Sequence, residues 1–194
     1  MHNGVSKPDF EPIATASEAS DLVFIGELRI LKGVDVLIEA IALLAQNGCA
    51  VTASIVGSGP DRAAFESQAA KLGLSDAVRF VGVKPARTAF GLGRLVVVPS
   101  RAESLPYIVL EAAAAGMPLI ATNVGGIPEV FGPDVDGLLP PGDPAALAHA
   151  IGEAIRDSGA RRLAAQRLRA SVAAAFSANA MTDAVLAAYG EALS

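Results

Sequence analysis

Two carboxylates stand eight positions apart in RAESLPYIVLE, residues 101–111, and an alanine-rich run follows directly. Glu111 lies beside Ile108, Val109, Leu110 and the alanines 112–115, with Arg101 the one Lys or Arg close by in sequence. A glutamate in that setting either reaches water from a helix surface or points into a cleft where something needs an acceptor. On one continuous helix, eight residues would separate Glu103 and Glu111 by about 12 Å along the axis and about 80° around it, so they would not share a site. Pro106 instead suits a helix start, which leaves Glu103 in a loop and Glu111 in the second turn. A loop folding back over the helix start can aim both carboxylates at one pocket. The helix N-terminus beside them offers free backbone N–H groups and the positive end of the dipole, both suited to a phosphate. Carboxylates for hydroxyls, with amides, Arg and Lys for phosphates, describe a nucleotide-sugar site. Spacing alone leaves open the plainer alternative of a solvated helix glutamate and a capping one.

The elements that must position these residues alternate along the chain. LVFIGEL (22–28) is a short apolar run of the kind a strand buried on both faces requires. Apolar residues at helical spacing fill Val34 to Gln46, and Gly48 closes that helix. Then come a strand at 50–57, a helix at 61–72, a strand at 77–82, a turn or helix at 86–92 and a strand at 94–99. A helix at 106–115, a strand at 117–122, a short helix at 127–131 and a strand at 136–140 follow. Asp143 suits the N-cap of a helix at 145–157, and 160–193 reads as two further helices broken near Phe176–Ser177. This alternation predicts an α/β fold with a Rossmann-like parallel sheet of about six strands, flanked by helices, with extra C-terminal helices.

Open parallel sheets bind ligands at the carboxyl ends of their strands, where the chain order reverses. Following the first five predicted strands are GELRILKG (26–33), GSGP (57–60), GVKP (82–85), PSRAES (99–104) and NVGGIPE (123–129). Glycines, cations (Arg29 and Lys32 among them) and carboxylates thus collect on one rim. GSGP lacks the third glycine of a dinucleotide fingerprint, because Arg62 holds that place. A tight turn with Pro60 at the first helical position explains it as well.

Composition narrows the function classes. With 52% apolar residues and a mean hydropathy of +0.46, the chain has ample material for a core, built from Ala, Val, Leu and Ile because Trp is absent. A net charge of −5 without a Lys or Arg run argues against nucleic-acid binding. Cys49 stands alone, and His2 and His149 have no ligand neighbours, so neither a disulfide nor a structural zinc is expected. The first twenty residues lack a secretory apolar region, and the longest apolar stretch is broken by Glu111, Gly116 and Pro118. The expectation is a soluble, cytoplasmic protein.

With these residues in place, the chain resembles the retaining glycosyltransferases of the family-4 type, which have a two-domain GT-B fold. The pattern PS-x-x-E-x7-E-A-x-A-x-G-x-P is met by Pro99, Ser100, Glu103, Glu111, Ala112, Ala114, Gly116 and Pro118. G-x-L-x3-K-G is met by Gly26, Leu28, Lys32 and Gly33, and V-x-F-x-G by Val78, Phe80 and Gly82. G-x-G-P at 57–60, GGIPE at 125–129 and GLL at 137–139 complete the order. The resemblance implies that Glu111 accepts bonds from ribose hydroxyls and that Glu103 holds hydroxyls of the transferred sugar. It implies that Lys32, with Arg29, binds the diphosphate and stabilises the leaving group, without a metal or other cofactor. Ser104, Leu105 and Tyr107 would surround the phosphates at the helix start, and Gly26, Val81 and Gly82 would lie against the nucleotide.

Three departures from the family pattern stand out. Glu27 holds the place of the usual Arg, ESLP replaces E-G-F-G, and the length suits one domain rather than two. Pro106 has no N–H to give. On this resemblance, 1–20 is an interdomain linker, 21–175 a nucleotide-sugar-binding domain, and 176–194 a helix that would cross to a missing N-terminal, acceptor-binding domain. The expected partners are a nucleotide-diphosphate sugar and that missing domain, through which any peripheral membrane contact would run. Self-association through the exposed cleft face is also expected. A fragment of this kind would bind donor without transferring it. A non-catalytic nucleotide-sugar binding module and an epimerase-like enzyme of related fold are the alternatives, the latter lacking the E-x7-E arrangement.

Overall fold

The computed structural model describes residues 5–104 and 107–176. Five strands, β1 (Ser20–Ile25), β2 (Ala53–Val56), β3 (Val78–Gly82), β4 (Gly93–Val98) and β5 (Leu119–Ala121), form one parallel sheet in the order β3-β2-β1-β4-β5. Central β1 pairs Leu22 with Ala53 on one side and Leu95 on the other. Both faces of the sheet are covered, which is why its strands read as unbroken apolar runs rather than as alternating ones.

The pleat sorts the core into two layers. Leu22, Phe24, Ile55 and Leu95 pack with α1 (Val34–Gln46), α2 (Arg62–Lys71) and α6 (Pro144–Arg156) through Leu37, Ile41, Phe65 and Ile151. Val23, Val96 and Val98 face α3 (Ala86–Phe90), α4 (Tyr107–Ala114), α5 (Ile127–Phe131) and α7 (Ser158–Ala175) through Phe90, Leu110, Ile127 and Val172. The alanines 112–114 are fully buried, so α4 lies close to the sheet. At the start of α6, Asp143 accepts the Ala146 N–H at 2.9 Å, the cap its sequence predicts.

The predicted strand at 136–140 is reduced to one bridge, Thr122 with Leu139. Asp136 and Gly137 belong to a 3-10 turn over Gly132–Gly137, and Pro140 and Pro141 have no N–H with which to extend a ladder. Two bonds remain, Leu139 N–H to the Ala121 carbonyl and Asn123 N–H to the Leu139 carbonyl.

Residues 5–16 are docked on the domain. Lys7–Phe10 forms a 3-10 turn, Val5 is buried, and Phe10 and Ile13 pack against the second core layer. Arg87 of α3 donates to the carbonyls of Pro8 and Glu11, and Arg169 of α7 donates to that of Phe10. The Val5 N–H meets the Phe176 carbonyl at 2.9 Å, just beyond the end of α7. Leu105, Pro106 and the predicted crossing helix with Ser177 and Tyr189 lie outside the described residues. Among the described residues, no helix is long and apolar enough to cross a membrane.

Candidate functional site

In this sheet order the chain leaves β1 toward β2 and β3, then returns to place β4 on the opposite side. The carboxyl ends of β1 and β4 therefore flank the point where connections diverge, which opens a crevice between them. The two loops that meet there, 26–33 and 99–104, are pinned together. Gly33 has φ +72°, and a Cβ on it would lie 1.9 Å from the Pro99 carbonyl oxygen, so only glycine allows this approach. Arg101 donates its backbone N–H to the Leu31 carbonyl, and its guanidinium grips both Asp35 carboxylate oxygens at 2.7 and 2.6 Å. The hydrogen bond to Asp35 raises the Arg101 pKa against the opposing effect of burial. Arg101 is thus turned to Asp35 and the 3-10 turn at Ile30–Lys32, and it fastens the crevice wall.

Glu103 sits at the centre of this crevice. Its Oε1 accepts from Lys32 Nζ at 2.7 Å and from Ser100 Oγ at 2.8 Å, and its side chain is 9% exposed against 26% for that of Lys32. Its backbone is held from the far side by the β5–α5 loop. Gly125 has φ +53°, and a Cβ there would fall 1.6 Å from the Glu103 carbonyl oxygen. Ser100 is 1% exposed, and its carbonyl accepts the Thr122 hydroxyl at 2.6 Å.

Of the other predicted residues, Ser104 is exposed beside Glu103, and Tyr107 is the partly exposed first residue of α4. Glu111 lies in the second turn of α4, half-buried, where α4 packs against the Lys7–Phe10 turn. Burial, and then the charge of Asp9, push its carboxyl pKa up. Arg29 is placed at the rim, 3.3 Å from Glu27, with both side chains more than half exposed. The structure thus joins Lys32 directly to Glu103, while Arg29 and Glu111 have other neighbours.

A second compartment, of about 340 Å³, opens at the ends of β1, β2 and β3. Gly26, Glu27, Gly57, Ser58, Val83 and Lys84 line it. Gly82, at the end of β3, accepts the Gly57 N–H, so Val81 and Gly82 lead directly into its wall. GSGP resolves into a brace: Leu28 N–H donates to the Ser58 carbonyl, Asp61 N–H to the Leu28 carbonyl, and Ile30 N–H to the Asp61 carboxylate. Ile30, Leu31, Val83 and Tyr107 are exposed apolar residues of the same strand-end loops and helix start. A larger cleft of about 810 Å³ lies at the sheet edge between α6, α7 and the Gly132–Gly137 turn, and none of these loops lines it. Among the described residues, no group of three His, Cys, Asp or Glu could hold a metal ion.

Ser100, Thr122, Ser58, Val83 and Lys84 were not among the site residues expected from the sequence. For Ser100 the available signal was its place in the PS-x-x-E pattern, and for Val83 and Lys84 their place in the loop after β3.

The profile of the family described as Glycosyl transferases group 1 matches residues 19–157. The chain belongs to the group 1 glycosyl transferases. Its described fold is one half of the GT-B architecture. It is 36% identical over 185 residues to the D-inositol 3-phosphate glycosyltransferase of Salinispora arenicola, an alignment covering 89% of this chain and 41% of that protein. Among solved structures, sucrose-phosphate synthase from Thermosynechococcus elongatus superposes with a TM-score of 0.81 at 29% identity, over 98% of this chain and 52% of that one. HepE of Anabaena, solved in complex with UDP, gives a TM-score of 0.84 at 22% identity, over 97% of this chain and 56% of that one. This group 1 domain thus spans about four-tenths to half the length of the relatives it matches.

Proposed function

We propose that this domain binds the nucleotide-diphosphate sugar of a retaining glycosyltransferase and needs a second domain to transfer the sugar. The observation that carries the reading is the Lys32–Glu103 pair in the crevice between β1 and β4. An ammonium group carries three N–H donors, so Lys32 can hold Glu103 and still donate to a diphosphate. Glu103 offers an acceptor for sugar hydroxyls, and Glu111 one for the ribose. Arg29, Ser104 and Tyr107 border the phosphates, and α4 adds the positive end of its dipole. The 340 Å³ compartment beside Gly26, Val81 and Gly82 takes the base. Charge developing on the leaving diphosphate is stabilised by Lys32 and the dipole without a metal. The UDP held by HepE supports a nucleotide ligand. The exposed Ile30, Leu31 and Val83 would face a partner domain that supplies the acceptor side.

Calorimetric titration with UDP, ADP and GDP and their glucose conjugates tests the reading. One of these ligands should bind, and Glu111→Ala should weaken it about tenfold or more, since a hydrogen bond to a charged group contributes about 1.5–3 kcal/mol. No binding at millimolar concentration, or an unchanged affinity in Glu111→Ala, refutes the assignment.

A further inference from the structure

We propose that Ser100 is a positioning residue for Glu103, turning the carboxylate so that Oε2 meets the donor sugar, with Thr122 holding Ser100 in place. The inference rests on the donor-binding reading above. Both donors to Glu103, Lys32 Nζ and Ser100 Oγ, act on the same oxygen, Oε1. Among the described residues no donor reaches Oε2, so it is the oxygen left for a ligand hydroxyl. Lys32 alone would not fix the carboxylate, because an ammonium on a flexible stem is a point charge without preferred direction. The Ser100 hydroxyl supplies the direction: it is 1% exposed, sits three residues before Glu103, and donates at 2.8 Å.

Ser100 is itself immobilised. Thr122, 4% exposed at the end of β5, donates its hydroxyl to the Ser100 carbonyl at 2.6 Å. Its backbone N–H bonds the Val98 carbonyl, so β5 grips the end of β4 at two points. Gly125 blocks retreat of the Glu103 backbone from the other side. Two buried hydroxyls in series are thus spent on the direction of one carboxylate. A diphosphate engages Lys32 and does not need Oε2, whereas the attached hexose does. Ser100 should therefore govern the share of affinity that the sugar contributes.

The test is calorimetric titration of wild type, Ser100→Ala, Thr122→Val and Thr122→Ser with UDP, ADP and GDP and with the glucose and N-acetylglucosamine conjugate of whichever binds. Ser100→Ala should lose about tenfold on the conjugate and less than twofold on the bare diphosphate. Thr122→Val should show the same selective loss to a smaller degree, and Thr122→Ser should restore wild-type behaviour. If Ser100→Ala does not fold, the Thr122 pair decides alone. Parallel losses on both ligands, no loss on either, or a wild type that gains nothing from the hexose overturns the role of Ser100. A wild type that binds no nucleotide diphosphate refutes the donor-binding reading itself, and this inference falls with it.

Discussion

Replacing Gly125 with alanine would test whether the β5–α5 loop sets the position of Glu103. The added Cβ would lie 1.6 Å from the Glu103 carbonyl oxygen, so one backbone must retreat by about 2 Å to reach ordinary van der Waals distance. The Lys32 and Ser100 contacts to Glu103, at 2.7 and 2.8 Å, do not survive such a shift. Alanine at φ +53° also carries left-handed strain of about 1–2 kcal/mol. Gly48 separates the two effects, because it has φ +76° and nothing within 4 Å of an added Cβ. Gly48→Ala should therefore show the strain alone, a fall of about 2–8 °C in melting temperature for a domain of this size, with unchanged ligand affinity. Gly125→Ala should fall further and lose donor binding by about tenfold or more, the scale of losing a hydrogen bond to a charged group. Thermal melts read by circular dichroism, with titration of the folded variants, give both quantities. If Gly125→Ala melts with Gly48→Ala and binds donor normally, Glu103 is not held from that loop.

Burial and Asp9 raise the Glu111 pKa, so the folded chain keeps that proton to higher pH than the unfolded one. The associated stability is present at acid pH and lost as pH rises through the folded value. Glu111→Gln should then melt slightly above wild type at pH 7, the gap closing toward pH 4, while nucleotide binding weakens; coincident melts across that range would contradict it. Arg101→Ala leaves the Asp35 carboxylate without its fork and unties the loop at Ile30, so both melting temperature and donor affinity should drop, with Arg101→Lys recovering only part. Asp143→Ala removes the α6 cap and should cost about 1 kcal/mol in a denaturant melt, leaving ligand titrations unchanged.

Helices 34–46 and 127–131 were legible to the residue, because turn glycines and a helix-starting proline mark their limits. Strand ends were less so. The run predicted as 22–28 leaves the sheet after Ile25, yet Leu28 is fully buried from within the loop, and an apolar residue carries the same signal in either setting. Proline chemistry at 140–141 explains the missing sixth strand, and the sequence contained it. Lys32 and Glu103, which the structure joins, were marked in the sequence by the G-x-L-x3-K-G and PS-x-x-E-x7-E patterns. Thr122 was not, since a hydroxyl near a strand end is commonplace and its bond to Ser100 arises only when segments 22 residues apart meet. Arg101 followed the same rule: its partner Asp35 is 66 residues away, beyond any local pattern.

The bond between Val5 and Phe176 ties the docked segment 5–16 to the residue that follows α7. Residues so paired have Cα atoms about 5 Å apart, close enough for a short peptide to join them. A short peptide between positions 5 and 176 would therefore tie this stretch into a ring without stretching it. By the same geometry the chain can be closed there and reopened at the exposed turn around Gly73, where nothing lies within 4 Å of an added side chain.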